Sequence, residues 1–101
     1  MMKTREISRD EVEIAPEGNL SREDTREFQT LLDEALKAGH HTIVLNFELL
    51  TSLSSSAIGK ILHFKARCDE AGRRLLIRKC NPEMLRLLRM IKFDALITIE
   101  T

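Results

Sequence analysis

Few side chains in this 101-residue sequence could do chemistry, and four of them sit together: Ser52, Ser54, Ser55 and Ser56. They lie between an apolar, β-branched run, Thr42 to Phe47, and a stretch of helical spacing that opens at Ala57. A hydroxyl at that point would stand at the carboxyl end of a buried strand, the edge where open α/β sheets gather ligands and modifications. The first N–H groups of a helix lack intrahelical partners and carry partial positive charge, so a hydroxyl or a phosphate is favoured there. The cluster therefore suits either a helix cap or a phosphoacceptor. One serine is enough for a cap, and composition alone favours that simpler role.

Other chemistries find less support. Ser55 as a nucleophile would need a GxSxG elbow and a base held by an acid, and the sequence has neither. His63 stands about two turns further along the same helix, too far to activate it. The four glycines, Gly18, Gly39, Gly59 and Gly72, are scattered, so no phosphate-cradling loop is formed. Cys68 and Cys80 make no CxxC pair and are read as reduced thiols. His40 and His41 are adjacent and His63 is alone, which is not the spacing that turns metal ligands to one side. The expectation is a protein that is not an enzyme and uses no cofactor or metal.

With 43% apolar, 32% charged and 4% aromatic residues, the composition is that of one compact domain. A chain of this size buries roughly 60 to 70% of its unfolded surface, enough for one small core. No apolar run reaches the roughly 20 residues of a bilayer crossing, and Met1 to Glu6 lacks a signal peptide's apolar segment. No membrane insertion and a cytoplasmic location are expected. Sixteen basic and sixteen acidic residues cancel, so nothing favours direct binding to nucleic acid. Acids predominate in residues 1–59 and bases in 60–101, which either polarises the fold or interleaves on solvated faces.

The elements that must position the serines can be read from periodicity. Thr4 to Ser8 and Glu11 to Ala15 predict two outer strands, with Val12 and Ile14 facing one way and Glu11 and Glu13 the other. Arg9-Asp10 connects them, and Pro16 to Asn19 reads as a turn. Ser21 is placed to cap a first helix with the stripe Phe28, Leu31, Leu32, Ala35, Leu36, running to about Ala38 and stopped at Gly39. The run Thr42 to Phe47 predicts a central strand covered on both faces. Ala57, Ile58, Ile61, Leu62, Phe64 and Cys68 mark a second helix ending at Gly72, and Arg74 to Arg78 a further strand. Asn81-Pro82 opens a third helix reaching about Lys92, and Ala95 to Glu100 predicts a last strand.

The order β-β-α-β-α-β-α-β argues for one sheet with parallel crossovers. The third helix has little polar face. Packing through Leu85, Leu88 and Ile91 would leave Met84 and Leu87 exposed as a candidate partner surface.

Carried by these residues, the whole chain resembles the anti-sigma factor antagonist family, the STAS domain. Glu17-Gly18-Asn19-Leu20 looks like that family's turn into the first helix, and Ile43 to Phe47 like its hydrophobic third strand. Leu53-Ser54-Ser55-Ser56-Ala57-Ile58-Gly59 is similar to its segment of apolar residue, Asp, Ser, Ser, Gly, apolar, Gly. Gly72 to Ile77 and Asn81-Pro82 fit its fourth strand and third helix. Two positions depart from the pattern, Ser54 in place of Asp and Ala57 in place of Gly.

The resemblance implies a single α/β STAS-like domain over residues 1–101, a mixed sheet of about five strands with three main helices on one side. It implies phosphorylation at Ser55 by a partner anti-sigma factor and serine protein kinase with a histidine-kinase-like ATPase fold. Unmodified protein would bind that partner, phosphorylation would end binding, and a serine phosphatase would restore it. Ser54, Ser55, Ser56, Ala57, Ile58 and Lys60 are the expected partner-binding face. The alternative is a non-phosphorylated scaffold that forms homo-oligomers or joins a transporter assembly through its apolar third helix.

Overall fold

The computed structural model describes residues 2–100. Strand β1 (Met2–Glu6) turns back through residues 7–10 to pair antiparallel with β2 (Glu11–Pro16), Arg5 opposite Glu13. From β2 the sheet grows by parallel pairing through β4 (Thr42–Asn46) and β6 (Arg74–Arg78) to the short β7 (Thr98–Ile99), in the order β1-β2-β4-β6-β7. Helices α1 (Thr25–Lys37), α2 (Ser55–Glu70) and α3 (Pro82–Met90) make the crossovers. A second, two-stranded sheet pairs β3 (Gly18–Leu20) with β5 (Leu50–Leu53) in parallel.

The pleat explains why the helices share one side. Val12, Ile43 and Leu75 are in register, as are Ile14, Leu45 and Ile77, so both rows project from the same face. Against them pack Phe28 and Leu32 of α1, Ile61 and Phe64 of α2, and Met84 and Leu88 of α3, all in one core. The predicted mixed sheet of about five strands with three helices on one side is thus observed. Fully burying an aliphatic or aromatic side chain contributes about 1.5 to 3 kcal/mol, so this one layer of contacts dominates the stability.

Among the described residues no helix lies on the opposite face, yet Val44 and Leu76 are buried. Arg78 shares that face and reaches Glu11 at 2.8 Å and Glu100 at 2.6 Å, tying the first and last parts of the sheet across it. Its guanidinium is held charged more firmly than usual by these two carboxylate hydrogen bonds, Glu11 first and then Glu100. The two halves of opposite charge bias therefore meet in specific pairs here.

Helix ends follow their residues. The Gly72 N–H donates to the Asp69 carbonyl and the Arg73 N–H to the Cys68 carbonyl, with Gly72 at φ +69°, the paired bonds that close a helix through a left-handed residue. Gly39, at φ +86°, plays the same part after α1.

Four expectations need correction. Ser21 does not cap α1: it makes a reciprocal turn with Asp24, donating to its carboxylate at 2.9 Å, and the helix begins at Thr25 behind Asp24, which has no side-chain cap bond. Residues 18–20 are strand rather than turn, because the Gly18 N–H donates to the Leu49 carbonyl and starts the pairing with β5. The last strand is shortened to Thr98–Ile99. Phe93 and Ile97 are both buried at helical rather than alternating spacing, and the Ile97 N–H donates to the Phe93 carbonyl. On α3, Met84 is buried and Leu87 packs against the core, while Met90 and Ile91 are exposed. The helix is rotated from the predicted face, with Met84 and Leu88 turned into the core.

Candidate functional site

The path from sheet to serine cluster is short and well tied. The Ser54 N–H donates to the Leu20 carbonyl at 3.1 Å, and the Ser52 hydroxyl donates to Asn19 Oδ1 at 2.6 Å, so both cross from β5 to β3. Ser54, still extended, is the N-cap of α2, its Oγ accepting the Ala57 N–H at 3.1 Å. The capping role belongs to Ser54 alone. Ser55 and Ser56 occupy the first two helical positions, both exposed, and are free of it.

The set expected from the sequence to bind a partner divides by exposure. Ser55, Ser56 and Lys60 are exposed, and Ser54 and Ile58 are half-buried. Ala57 is corrected: it is 0% exposed and belongs to the core beneath the turn, because the cap bond directs its side chain inward against the sheet. It supports the site and offers no surface.

Gly59, exposed in the same turn, has no steric reason within the chain, since an added Cβ would meet nothing within 4 Å. A glycine inside a helix costs about 0.5 to 1 kcal/mol relative to alanine. Gly59→Ala should therefore raise the melting temperature by about 2 to 8 °C, checked by calorimetric unfolding. Bare backbone at that position leaves room for close approach from outside.

Sequence reasoning missed residues from α1. A depression of about 670 Å³ runs between the starts of α1 and α2, with Arg22, Arg26 and Gln29 on one side and Ser56 and Lys60 on the other. The signal was in the topology: successive parallel crossovers on one side of a sheet place successive helix starts at the same edge. Farther along, Arg67 of α2 pairs with Asp33 of α1 and holds the two helices side by side.

The thiols take no part. Burial, and then the charge of Asp69, push the Cys68 thiol up to about 11, and burial raises Cys80 as well. Both are neutral near pH 7 and poor nucleophiles. The Cys68 shift has a stability consequence. The folded thiol stays protonated while the unfolded one ionises near pH 9, so its contribution is complete below pH 9 and falls as pH rises to about 11. Urea titrations should show about 2 kcal/mol lost over that interval, and Cys68→Ala should flatten that part of the profile. Among the described residues no group of three His, Cys, Asp or Glu could hold a metal ion, and no helix is long and apolar enough to cross a membrane.

A family model described as "Mlab, STAS domain" matches residues 4–98. The chain belongs to the STAS family. Its fold is also that of solved anti-sigma factor antagonists. The unphosphorylated form of the antagonist SpoIIAA is similar at 20% identity and TM-score 0.79, over 100% of this STAS chain and 88% of that one. The phosphorylated form of the Bacillus cell fate determinant SpoIIAA gives 20% identity and TM-score 0.77, over 100% and 92%. A putative anti-sigma factor antagonist from Thermotoga maritima gives 24% identity and TM-score 0.85, over 99% and 86%. Among curated proteins no sequence matches this STAS domain.

Proposed function

We propose that this STAS domain, residues 1–101, is an anti-sigma factor antagonist: a cytoplasmic protein-binding switch, not itself an enzyme. The observation that supports this most is Ser55, an exposed hydroxyl at the first position of α2, relieved of capping by Ser54. Unmodified, the face made by Ser54, Ser55, Ser56, Ile58 and Lys60 over the buried Ala57 docks an anti-sigma factor that is also a serine kinase of histidine-kinase-like ATPase fold. Phosphorylation of Ser55 places about −1.5 to −2 charges in the middle of that face. Repulsion and the cost of desolvating the phosphate then sever the interface while the fold stays intact, and a serine phosphatase resets it.

That the helix start tolerates the phosphate follows from its unpaired N–H groups and dipole. The Ser54 hydroxyl replaces the family's usual Asp as cap, so no carboxylate stands beside the acceptor before it is modified. Incubation with the cognate kinase and ATP should place one phosphate on Ser55, located by peptide mass analysis. An unchanged mass would remove the switch and leave a binding module.

One observation favours a second reading, an assembly module that joins copies of itself or a transport complex. Met90, Ile91 and Leu96 are exposed together near the end of α3, Met90 at 75%. Light scattering behind size exclusion separates the two readings: a monomer at all concentrations supports the switch, and a stable oligomer supports the assembly module.

A further inference from the structure

The depression between the starts of α1 and α2 holds charge that the fold does not neutralise. Arg22, Arg26 and Lys60 line it and all three are exposed. Among the described residues none of the three enters an ion pair, whereas Arg5, Arg67 and Arg78 all do. Glu23 is the single carboxylate on the rim, so the lining keeps a surplus of positive charge. Gln29 and Ser56 add neutral hydrogen-bonding groups, and Gln29, Ser56 and Lys60 also border the neighbouring depression toward His63.

Two guanidiniums and an ammonium around a concavity lined by amide and hydroxyl groups match one ligand chemistry, a tetrahedral dianion. Guanidiniums bind phosphate oxygens in paired, charge-assisted hydrogen bonds, and an ammonium adds a point charge. A phosphomonoester offers three terminal oxygens and close to two negative charges to these cations, against a carboxylate's two oxygens and single charge. We propose that this depression binds a phosphomonoester group. The group can arrive on a free phosphorylated molecule or on Ser56, which lines the depression together with the three cations. In the second case a kinase transfers the γ-phosphoryl of ATP: the Ser56 oxygen bonds to phosphorus, the bond to the β-phosphate oxygen breaks, ADP leaves and the hydroxyl proton passes to solvent. The inference is independent of what happens at Ser55.

The test uses the full chain in two arms. Inorganic phosphate is titrated into isotopically labelled protein at constant ionic strength, with chloride as control, and repeated with the R26Q/K60Q double variant. Saturable shifts centred on residues 22–29 and 55–60, weakened about tenfold or more in the double variant, are expected from the loss of two charge-assisted contacts. In the second arm, phosphoserine is installed at position 56 or at position 55, and the second phosphate ionisation is followed by phosphorus resonance. A lower value at 56 than at 55, lost in the double variant, supports delivery by Ser56. Phosphate binding without that difference supports a free phosphomonoester. Shifts equal to those in chloride, unaffected by the double variant, with identical ionisation at 55 and 56, overturn the proposal. Because no partner protein is present, this failure is distinguishable from a failure of partner switching.

Discussion

Replacing Ser55 with Asp is expected to weaken binding to the anti-sigma partner by about ten- to a hundredfold, or about 1.4 to 2.7 kcal/mol, without unfolding the domain. The two halves of this prediction have separate causes. At the first position of α2 a carboxylate faces unpaired backbone N–H groups, so the isolated domain should be unchanged or more stable by about 0.3 to 1 kcal/mol. In a docked complex the same carboxylate sits at the centre of the contact, where an unpaired charge is costly to desolvate. Titration calorimetry with the partner reads the first half and thermal unfolding the second. If S55D bound as tightly as the wild type, charge at this position would not be the signal.

Asn81→Ala is expected to cost the domain about 2 to 3 kcal/mol, a large effect for a single polar side chain. Asn81 Oδ1 accepts the Met84 N–H at 2.9 Å and caps α3, a contribution of about 1 kcal/mol. Its Nδ2 donates to the carbonyls of Phe47 at 3.1 Å and Leu50 at 2.7 Å; the Phe47 carbonyl keeps the Leu50 N–H after truncation, so the main loss is the Leu50 contact, at about 1 to 2 kcal/mol. This one amide binds the start of α3 to the connection between β4 and β5, and β5 leads directly to the Ser54 cap. Asn81→Asp keeps the cap and loses the donors, so it should fall between the two in denaturant unfolding. If Asn81→Asp were as stable as the wild type, the tie to β5 would contribute nothing, and if it lost as much as Asn81→Ala the cap would contribute nothing.

How far such features could be read from sequence depended on whether they were local. The Asn81 cap, with Pro82 behind it, was legible because capping needs only neighbouring residues. So was Ser54, at the boundary between a β-branched run and a helical stripe, and so were the inward faces of Val12, Ile14, Phe28 and Ile61. The donor side of Asn81 was not, since Phe47 and Leu50 lie more than thirty residues away in sequence. Strand β3 has only three residues and is held by a register that no periodicity reveals. The rotated face of α3 and the 3-10 turn at Phe93–Ala95 likewise depend on tertiary burial of Met84, Phe93 and Ile97.

The serine site shows the same division. Ser54, Ser55 and Ser56 are sequential, and one local rule places all three. Ala57 was misread because a helix position next to exposed serines is a surface position only until the sheet is in place beneath it. Arg22 and Arg26 come from a different helix, so their approach to Ser56 required the handedness of the crossovers as well as the pattern of α1. Gly59 was visible as a residue, but its openness was not: only the empty space around its Cβ position shows that the core does not require it.

In the proposed switch, one added anion on an exposed hydroxyl decides whether a partner docks. This is tested most directly by titrating the purified anti-sigma kinase into the chain carrying phosphoserine at position 55 and, in parallel, into the unmodified chain. Saturable heat is expected for the unmodified protein and none for the phosphorylated one, with both equally folded by circular dichroism. Equal affinity for the two forms would contradict it.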